Sequence, residues 1–394
     1  MKITVPTIDF GTSKIVTMVA QSNGERCDIV GSGAVPYSGY LQDGWNNPDE
    51  IRDVIRTAID QAQKTGNCRI HELNVGVPGM FTRVIVKEVH VSLTGPDPHV
   101  TAQDVRACFK LAEESGGDRI IHSAPAWFRV DDGKKTLSPV GIKGRELSAM
   151  IALVTADKYF IDDITYRLRD MDIEPREFYS TVAGEATYAL SQDERDKTAM
   201  LIDIGYLCTD VMVMEGDALI FHKCLDIGGG HISADIAEQL NIPFPFVEEK
   251  IKQTYSFNST NQDETYVIPA TEDEPARTVR RDEVTPIIEA KVEEIAEAIN
   301  KALEEGGVKL GKWSNVYLTG GGLILNKGGK DFLAGKLHRI IREAQRTNNK
   351  MTSHVFSSAV GLTILVVTTQ EEQKAPDGGA KGLFSRAFRW LMGY

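Results

Sequence analysis

The chain has 394 residues, 42% of them hydrophobic and 25% charged, enough to bury the cores of two or three domains and ordinary for a folded globular protein. Forty-four basic residues against 56 acidic ones leave a net charge of −12, which argues against nucleic acid as a general partner and leaves any attraction to an anionic surface to a local patch. The five cysteines, Cys27, Cys68, Cys108, Cys208 and Cys224, are scattered and form no CxxC pair, a pattern that suggests neither a disulfide framework nor a zinc site and fits free thiols in a reducing cytosol.

The N-terminal run "MKITVPTIDFGTSKIV" reaches a polar, glycine-containing turn within about ten residues and lacks the apolar core of a signal peptide. It opens the segment "TIDFGTSKIVTMVAQSNGERCDIVGSG", which reads strand, turn, strand, hairpin, strand. A helix follows in "DEIRDVIRTAIDQAQKTG", with Ile51, Val54, Ile55, Ala58, Ile59 and Ala62 on one stripe and Gly66 at its end. Residues 84–159 read as a strand, a helix from Ala102 to Glu113, and the strands "IIHSAPAWFRVD" and "ELSAMIALVTA". Nothing elsewhere repeats this block, so it is an inserted α/β module.

Half a chain after the first unit, "LIDIGYLCTDVMVMEGDALIFHKCLDIGGG" repeats the order of strand, turn, strand, hairpin, strand, again beginning Ile-Asp-apolar-Gly. A repeat at that distance is a duplicated domain, because solenoid periods are far shorter. Helical patterns follow in "HISADIAEQL" and in "EVTPIIEAKVEEIAEAINKALEEGG", which stops at Gly306-Gly307. Next, "NVYLTGGGLILNKG" is a strand running into Gly320-Gly321-Gly322. The most apolar run, "AVGLTILVV" from Ala359 to Val367, is far shorter than the roughly 20 residues that span a bilayer. From Gln370 the composition turns to the polar linker "QEEQKAPDGGAKG". On a helical projection of the last twelve residues, Leu383, Phe384, Ala387, Phe388, Trp390, Leu391, Met392 and Tyr394 share a broad apolar face opposite Ser385, Arg386, Arg389 and Gly393. Aromatics, arginines and a flexible linker describe a helix lying in a membrane interface, with Leu383, Phe384, Phe388, Trp390 and Leu391 as its lipid-facing residues.

Asp9 and Asp203 end the first strand of each repeat. If the halves face each other, two carboxylates and two hairpins converge on one cleft, which suits Mg²⁺ held mostly through water together with the phosphates of a nucleotide. In the first hairpin, Gly11 lets backbone approach closely, Thr12 and Ser13 bring hydroxyls, and Lys14 adds a phosphate-directed charge. Gly320, Gly321 and Gly322 present bare backbone to a flat or anionic ligand group.

The order "DFGTSK", "DIGxxxTD", "LTGGG" resembles the two phosphate motifs and the adenosine motif of the superfamily of actin, the heat-shock chaperone ATPases and the sugar kinases. Within it the chain is similar, over nearly its whole length, to the bacterial cell-division family FtsA. That likeness includes "LSPVGIKGRELSAMIALVTA", "IGGGHISADIA", "VRRDEVTPIIEAKVEEI", "SSAVGL" and the amphipathic C-terminus.

The resemblance implies an α/β fold of the actin-like, duplicated ribonuclease H-like kind. Residues 1–83 and 160–196 would form the first core domain and 84–159 the FtsA-type inserted subdomain. Residues 197–241 and 305–369 would form the second core domain, and 242–304 its helical subdomain. The linker would run from 370 to 382 and the membrane-binding helix from 383 to 394. It also implies ATP with Mg²⁺ as cofactors. Asp9, Gly11, Thr12, Ser13 and Lys14 would face the phosphates, Asp203 and Gly205 would form the second phosphate loop, and Gly228 and Gly229 would line the cleft. Gly320, Gly321 and Gly322 would lie against the adenosine, with Glu249 and Lys252 flanking purine and ribose.

The chain departs from the family in "DIGYLCTD", where Tyr206, Leu207 and Cys208 replace the usual Gly-Gly-Thr. Glu185 is the carboxylate left to position water, so the expectation is ATP binding with weak or no hydrolysis. The family's partners imply an adaptor at the inner face of the bacterial membrane, at the division site. It would bind the tail of the tubulin-like protein FtsZ, polymerise into actin-like filaments and meet later division proteins. Arg280, Arg281 and Lys291 fall in the tail-binding segment, with Arg281 as the expected charge partner. The alternatives are a pilus-assembly scaffold of the PilM type and, from a different class, a chaperone-like or sugar-kinase-like enzyme.

Overall fold

The structure is a computed structural model that describes residues 3–24, 26–41, 44–117, 119–261, 263–270, 275–311, 314–344 and 353–374. Two five-stranded sheets dominate it. In the first the strand order is Cys27–Pro36, Lys14–Ser22, Ile3–Phe10, Glu72–Val77, Glu174–Ser180, and in the second it is Ala218–Leu225, Thr209–Glu215, Ala199–Ile204, Asn315–Thr319, Ile341–Glu343. In the first, Ile3–Phe10 runs antiparallel to Lys14–Ser22 and parallel to Glu72–Val77, which is itself parallel to Glu174–Ser180. The last two strands of the second sheet are likewise parallel. Identical order from the hairpin edge inward is what duplication of one domain produces, and the fold is the duplicated actin-like one.

The described residues form two compact units, one within 3–200, 212–222 and 353–374, the other within 201–211 and 223–344. In the first unit the sheet is covered on both faces, which is why its strands read as near-continuous apolar runs. Ile51, Ile55, Ala58, Ile59 and Ala62 of the helix Ile51–Gly66 pack with Ile8, Phe10 and Val75. Leu362, Leu365 and Val366 of the helix Ser357–Lys374 pack with Val5 and Ala20. Each apolar stripe recurs every three to four residues because that spacing returns to one helix face.

The inserted module is a three-stranded antiparallel sheet with Glu146–Ala156 between Thr82–Ser92 and Ile120–Val130. Helix Ala102–Glu114, closed at its start by a Thr101–Asp104 capping box, packs Val105, Cys108 and Ala112 against Leu147, Ala149, Ile151 and Leu153. The module therefore has a core of its own. In the second unit the helix Arg281–Glu305 buries Val284, Ile288, Val292, Ile295 and Ile299.

One element and one boundary differ from the sequence reading. The stretch 242–304, expected to be helical, contains an antiparallel pair, Thr265–Ile268 with Arg277–Arg280, where β-branched and aromatic residues favour strand. The linker expected from Gln370 is helical through Lys374, because the Gln370 amide is buried against Asn74 and Ser22 donates to Glu371. No helix of the described residues is long and apolar enough to cross a membrane. The C-terminal segment 383–394, with Leu383, Phe384, Phe388, Trp390 and Leu391, lies outside the described residues, as do 375–382 of the linker.

Candidate functional site

In the first unit, strand Ile3–Phe10 turns back at Gly11, whose N–H donates to the Lys14 carbonyl at 3.0 Å. A Cβ on Gly11 would sit 2.9 Å from that same oxygen, so only glycine fits the tight return. Thr12 is buried and Ser13 and Lys14 are half-buried, with the Lys14 ammonium 5.3 Å from the centre of the Phe356 ring. Asp9 is 4% exposed. The Ser358 hydroxyl donates to its Oδ2 at 2.8 Å, and the Thr181 hydroxyl reaches Oδ1 at 3.5 Å. Burial drives the Asp9 carboxyl above its ordinary value, against the opposing pull of Ser358 and the Lys14 charge.

Glu185 lies one turn beyond Thr181 on helix Thr181–Ala189 and is 1% exposed. A Cβ on Gly361 would fall 2.5 Å from the Glu185 Cα, so the two helices touch backbone to backbone at this point. Ser358 and Thr181 were not singled out from the sequence. The first lies within "SSAVGL", and the second is a threonine at a helix start, a position whose ordinary explanation is capping.

In the second unit three glycine segments meet. The Gly205 carbonyl accepts from the Gly229 N–H at 2.9 Å, the Tyr206 carbonyl from the Gly230 N–H at 2.7 Å, and the Ile204 carbonyl from the Gly322 N–H at 2.7 Å. Gly320 has φ +85°, and a Cβ there would lie 2.0 Å from Asp203 Oδ1 and 2.3 Å from the Ile204 carbonyl. Position 320 therefore requires glycine both for conformation and for space. Gly228 lies over the Tyr206 and Gly205 carbonyls and Gly229 over Gly322, while Gly321 is half-buried between its neighbours. The first N–H groups of helix Gly229–Gln239 are thus already bonded to the 205–206 backbone, and this helix start has those donors committed.

The departure "YLC" is accommodated at this junction. The Gly205 N–H donates to the Cys208 carbonyl at 2.9 Å, closing the turn. The Tyr206 ring lies on Gly230, where a Cβ would meet its Cζ at 3.0 Å. The Lys252 ammonium sits 5.7 Å from the centre of that ring. A Cβ at position 230 would press on both the tyrosine ring and its carbonyl, at 3.0 Å each.

Glu249 and Lys252 belong to a π-helical turn, Val247–Lys252. Glu249 is exposed. Lys252 is 9% exposed and donates to the Gly229 carbonyl at 2.6 Å and to Glu248 at 3.3 Å. Burial pulls its pKa below the ordinary value, with Glu248 opposing. The Asn326 amide ties the end of this turn to the glycine segment by donating to the Lys252 and Tyr255 carbonyls at 2.6 and 3.1 Å. Helical spacing alone reads Lys252 as a solvated charge, and only the packing shows it buried.

The three basic residues of the expected partner segment differ in burial. Arg281 is 3% exposed, donates to Glu264 at 3.0 Å and to the Ser256 carbonyl at 2.6 Å, and stacks 4.3 Å over Tyr255. Its guanidinium is a buried tie between the strand pair and the helix, at the position that the sequence reading gives to the charge partner of the FtsZ tail. Lys291 bridges Asp235 at 2.9 Å and Glu294 at 2.6 Å. Arg280 remains 59% exposed beside Asp282.

Two family models match the chain. One, described as cell division protein FtsA, covers residues 200–361, and the other, described as the SHS2 domain inserted in FtsA, covers residues 79–155. Cell division protein FtsA of Pseudomonas aeruginosa is 24% identical over 412 residues, 98% of this chain and 97% of that protein. The Bacillus subtilis protein of that name is 26% identical over 306 residues, 76% of this chain and 70% of the relative. Among solved structures, a PilM-PilN type IV pilus biogenesis complex aligns with a TM-score of 0.59 at 18% identity, covering 93% of this chain and 99% of the other. MreB5 of Spiroplasma citri bound to AMPPNP aligns with a TM-score of 0.56 at 11% identity, covering 94% and 98%.

Proposed function

The chain belongs to the FtsA family of cell-division proteins, and from that premise we propose that it binds ATP with Mg²⁺, polymerises in actin-like fashion and tethers FtsZ filaments to the inner face of the cytoplasmic membrane. The observation that carries the nucleotide part is the glycine junction, where the Gly205, Gly228–Gly230 and Gly320–Gly322 segments pack largely backbone to backbone beside Asp203, with the Tyr206 ring over Gly230. In this reading Gly11, Thr12, Ser13 and Lys14 contact phosphate from the first hairpin and Gly205 from the second. Gly320, Gly321 and Gly322 meet the adenosine, and Lys252 and Glu249 flank it.

The donor set suits a hydrated Mg²⁺. Asp9 is a buried carboxylate partnered by neutral hydroxyls, and a nearby dication offsets the cost of keeping it charged. When bound, the ion shields phosphate charge through its water shell. Asp9 and Asp203 would orient that shell, and Glu185, packed at the helix contact, would hold water in line. The Tyr206 ring packs over Gly230 in the second loop, and hydrolysis is accordingly slow or undetectable.

The tether rests on the amphipathic tail, in which Leu383, Phe384, Phe388, Trp390 and Leu391 enter the lipid. Burial contributes roughly 1.5 to 3 kcal/mol per large side chain, enough in sum to hold a protein on vesicles. The FtsZ tail docks near the start of helix Arg281–Glu305, with Arg280 as the exposed cation and Lys291 further along. A flotation assay with anionic vesicles, FtsZ from the same organism and MgATP tests the whole reading. FtsZ should float only when the full chain is present, and not with a chain lacking residues 381–394. FtsZ that stays in solution with the full chain, or floats as well with the truncated one, overturns it.

A further inference from the structure

Cys208, Asp210 and Cys224 converge although their spacing in sequence resembles no metal motif. Cys208 and Asp210 are two residues apart, at the start of the strand Thr209–Glu215, and Cys224 lies near the end of the neighbouring strand Ala218–Leu225. The two sulfurs and a carboxylate oxygen all lie within 4.8 Å of one another. Among the described residues no other set of three His, Cys, Asp or Glu side chains gathers in this way. Cys208 is 8% exposed, and Asp210 and Cys224 are half-buried, so the group is largely shielded from solvent without being sealed off.

We propose that Cys208, Cys224 and Asp210 form a binding site for one zinc ion, tetrahedral, with a water or an exogenous ligand in the fourth position. Two thiolates select a soft or borderline dication over Mg²⁺ or Ca²⁺, which require oxygen ligands, and the carboxylate favours Zn²⁺ over Cu(I). Zinc–sulfur bonds of about 2.3 Å place tetrahedral sulfurs about 3.8 Å apart, a separation of the same order as the 4.8 Å within which the three ligand atoms lie. Ligation forms two Zn–S bonds and one Zn–O bond, and the two thiols release one proton each. The ion links the ends of two adjacent strands and fixes Cys208, whose carbonyl closes the turn at Gly205. The proposal does not depend on the nucleotide reading.

The test uses the full-length protein, reduced with a phosphine, stripped by a chelator and titrated with Zn²⁺ against a chromophoric chelator, then separately with Co²⁺. One equivalent of Zn²⁺ should bind with release of two protons, and Co²⁺ should give thiolate charge-transfer absorption with the intense visible bands of a tetrahedral site. Cys208→Ser with Cys224→Ser should remove both signals, Asp210→Asn should weaken binding at least tenfold, and combined serine replacement of Cys27, Cys68 and Cys108 should change neither. If the double variant does not fold, the wild-type cobalt spectrum decides, because a pale octahedral spectrum without thiolate bands overturns the site. Zinc uptake that survives in a folded double variant overturns it too. So does a reduced protein that takes no zinc and yields a Cys208–Cys224 disulfide on exposure to air.

Discussion

Gly229→Ala probes the glycine junction directly. The added Cβ would stand 2.4 Å from the Gly322 Cα, 2.5 Å from its carbonyl oxygen and 2.8 Å from its carbonyl carbon. All three are backbone atoms, so no side chain can swing aside, and the segments must separate by about 1 Å to restore ordinary van der Waals contact. Overpacking of this kind costs about 1–3 kcal/mol. Separation also strains the bonds from Gly229 to Gly205 and from Gly322 to Ile204, each worth about 1 kcal/mol. The better helix propensity of alanine returns up to about 1 kcal/mol, which leaves a net loss of about 1–3 kcal/mol. Gly335→Ala is the control, because it lies in the helix Gly329–Leu337 with nothing within 4 Å of the new Cβ and should stabilise by about 0.5–1 kcal/mol. Urea unfolding of both variants, followed by calorimetric titration with MgATP, should show Gly229→Ala destabilised and weak in nucleotide binding and Gly335→Ala unimpaired in both. A Gly229→Ala midpoint equal to wild type, or shifted in the same direction as Gly335→Ala, refutes the reasoning.

Asp9→Asn should raise the thermal midpoint of the nucleotide-free protein at neutral pH while nearly abolishing MgATP binding. Burial raises the folded pKa of Asp9 above its ordinary 3.8, so native stability falls as pH rises through that range, and the amide removes the penalty. A midpoint at neutral pH equal to or below wild type counts against it. Burial pushes His122 down to about 4 from an ordinary 6.5, so its contribution is complete above pH 6.5 and is lost as pH falls toward 4. In His122→Gln that acid limb should flatten in unfolding measurements, and an unchanged limb places the titration elsewhere. Arg281→Ala should destabilise by about 3 kcal/mol, the low end for a broken buried pair, because Glu264 keeps 30% of its side chain exposed. Arg280→Glu should leave the unfolding midpoint in place and weaken binding of the FtsZ tail peptide by calorimetry, and undiminished peptide binding would remove Arg280 from the site.

Much of this protein was legible before any packing was known, wherever the signal is local. "TIDFGTSKIV" and "LIDIGYLCTDV" announce strand, turn and strand because alternation and glycine position depend on neighbours along the chain, and the two copies of that signal disclosed the duplication that the two sheet orders display. The stripe from Ile51 to Ala62 and the helix beginning at Ala102 were readable for the same reason. The helix from Ser357 runs on to Lys374, past the expected linker start, because the anchoring partner of Gln370 is Asn74, far away in sequence.

The state of each charge could not be read locally. Arg280 and Arg281 are adjacent and chemically the same, yet one stands in solvent and the other is enclosed by Glu264, Ser256 and Tyr255. Lys252 and Glu249 share one helical turn, and only Lys252 is buried, beneath Tyr206 and the Gly229 carbonyl. The glycines announced bare backbone, but which segments that backbone packs against depends on residues more than twenty apart in sequence, and Gly205, Gly229 and Gly322 lie against one another. Cys208 and Cys224 look unrelated along the chain until adjacent strands set them side by side. Periodicity and turn chemistry are properties of a few consecutive residues and so belong to the sequence, whereas burial, ion pairing and ligand geometry depend on which distant segments share a volume, and only the tertiary fold decides that.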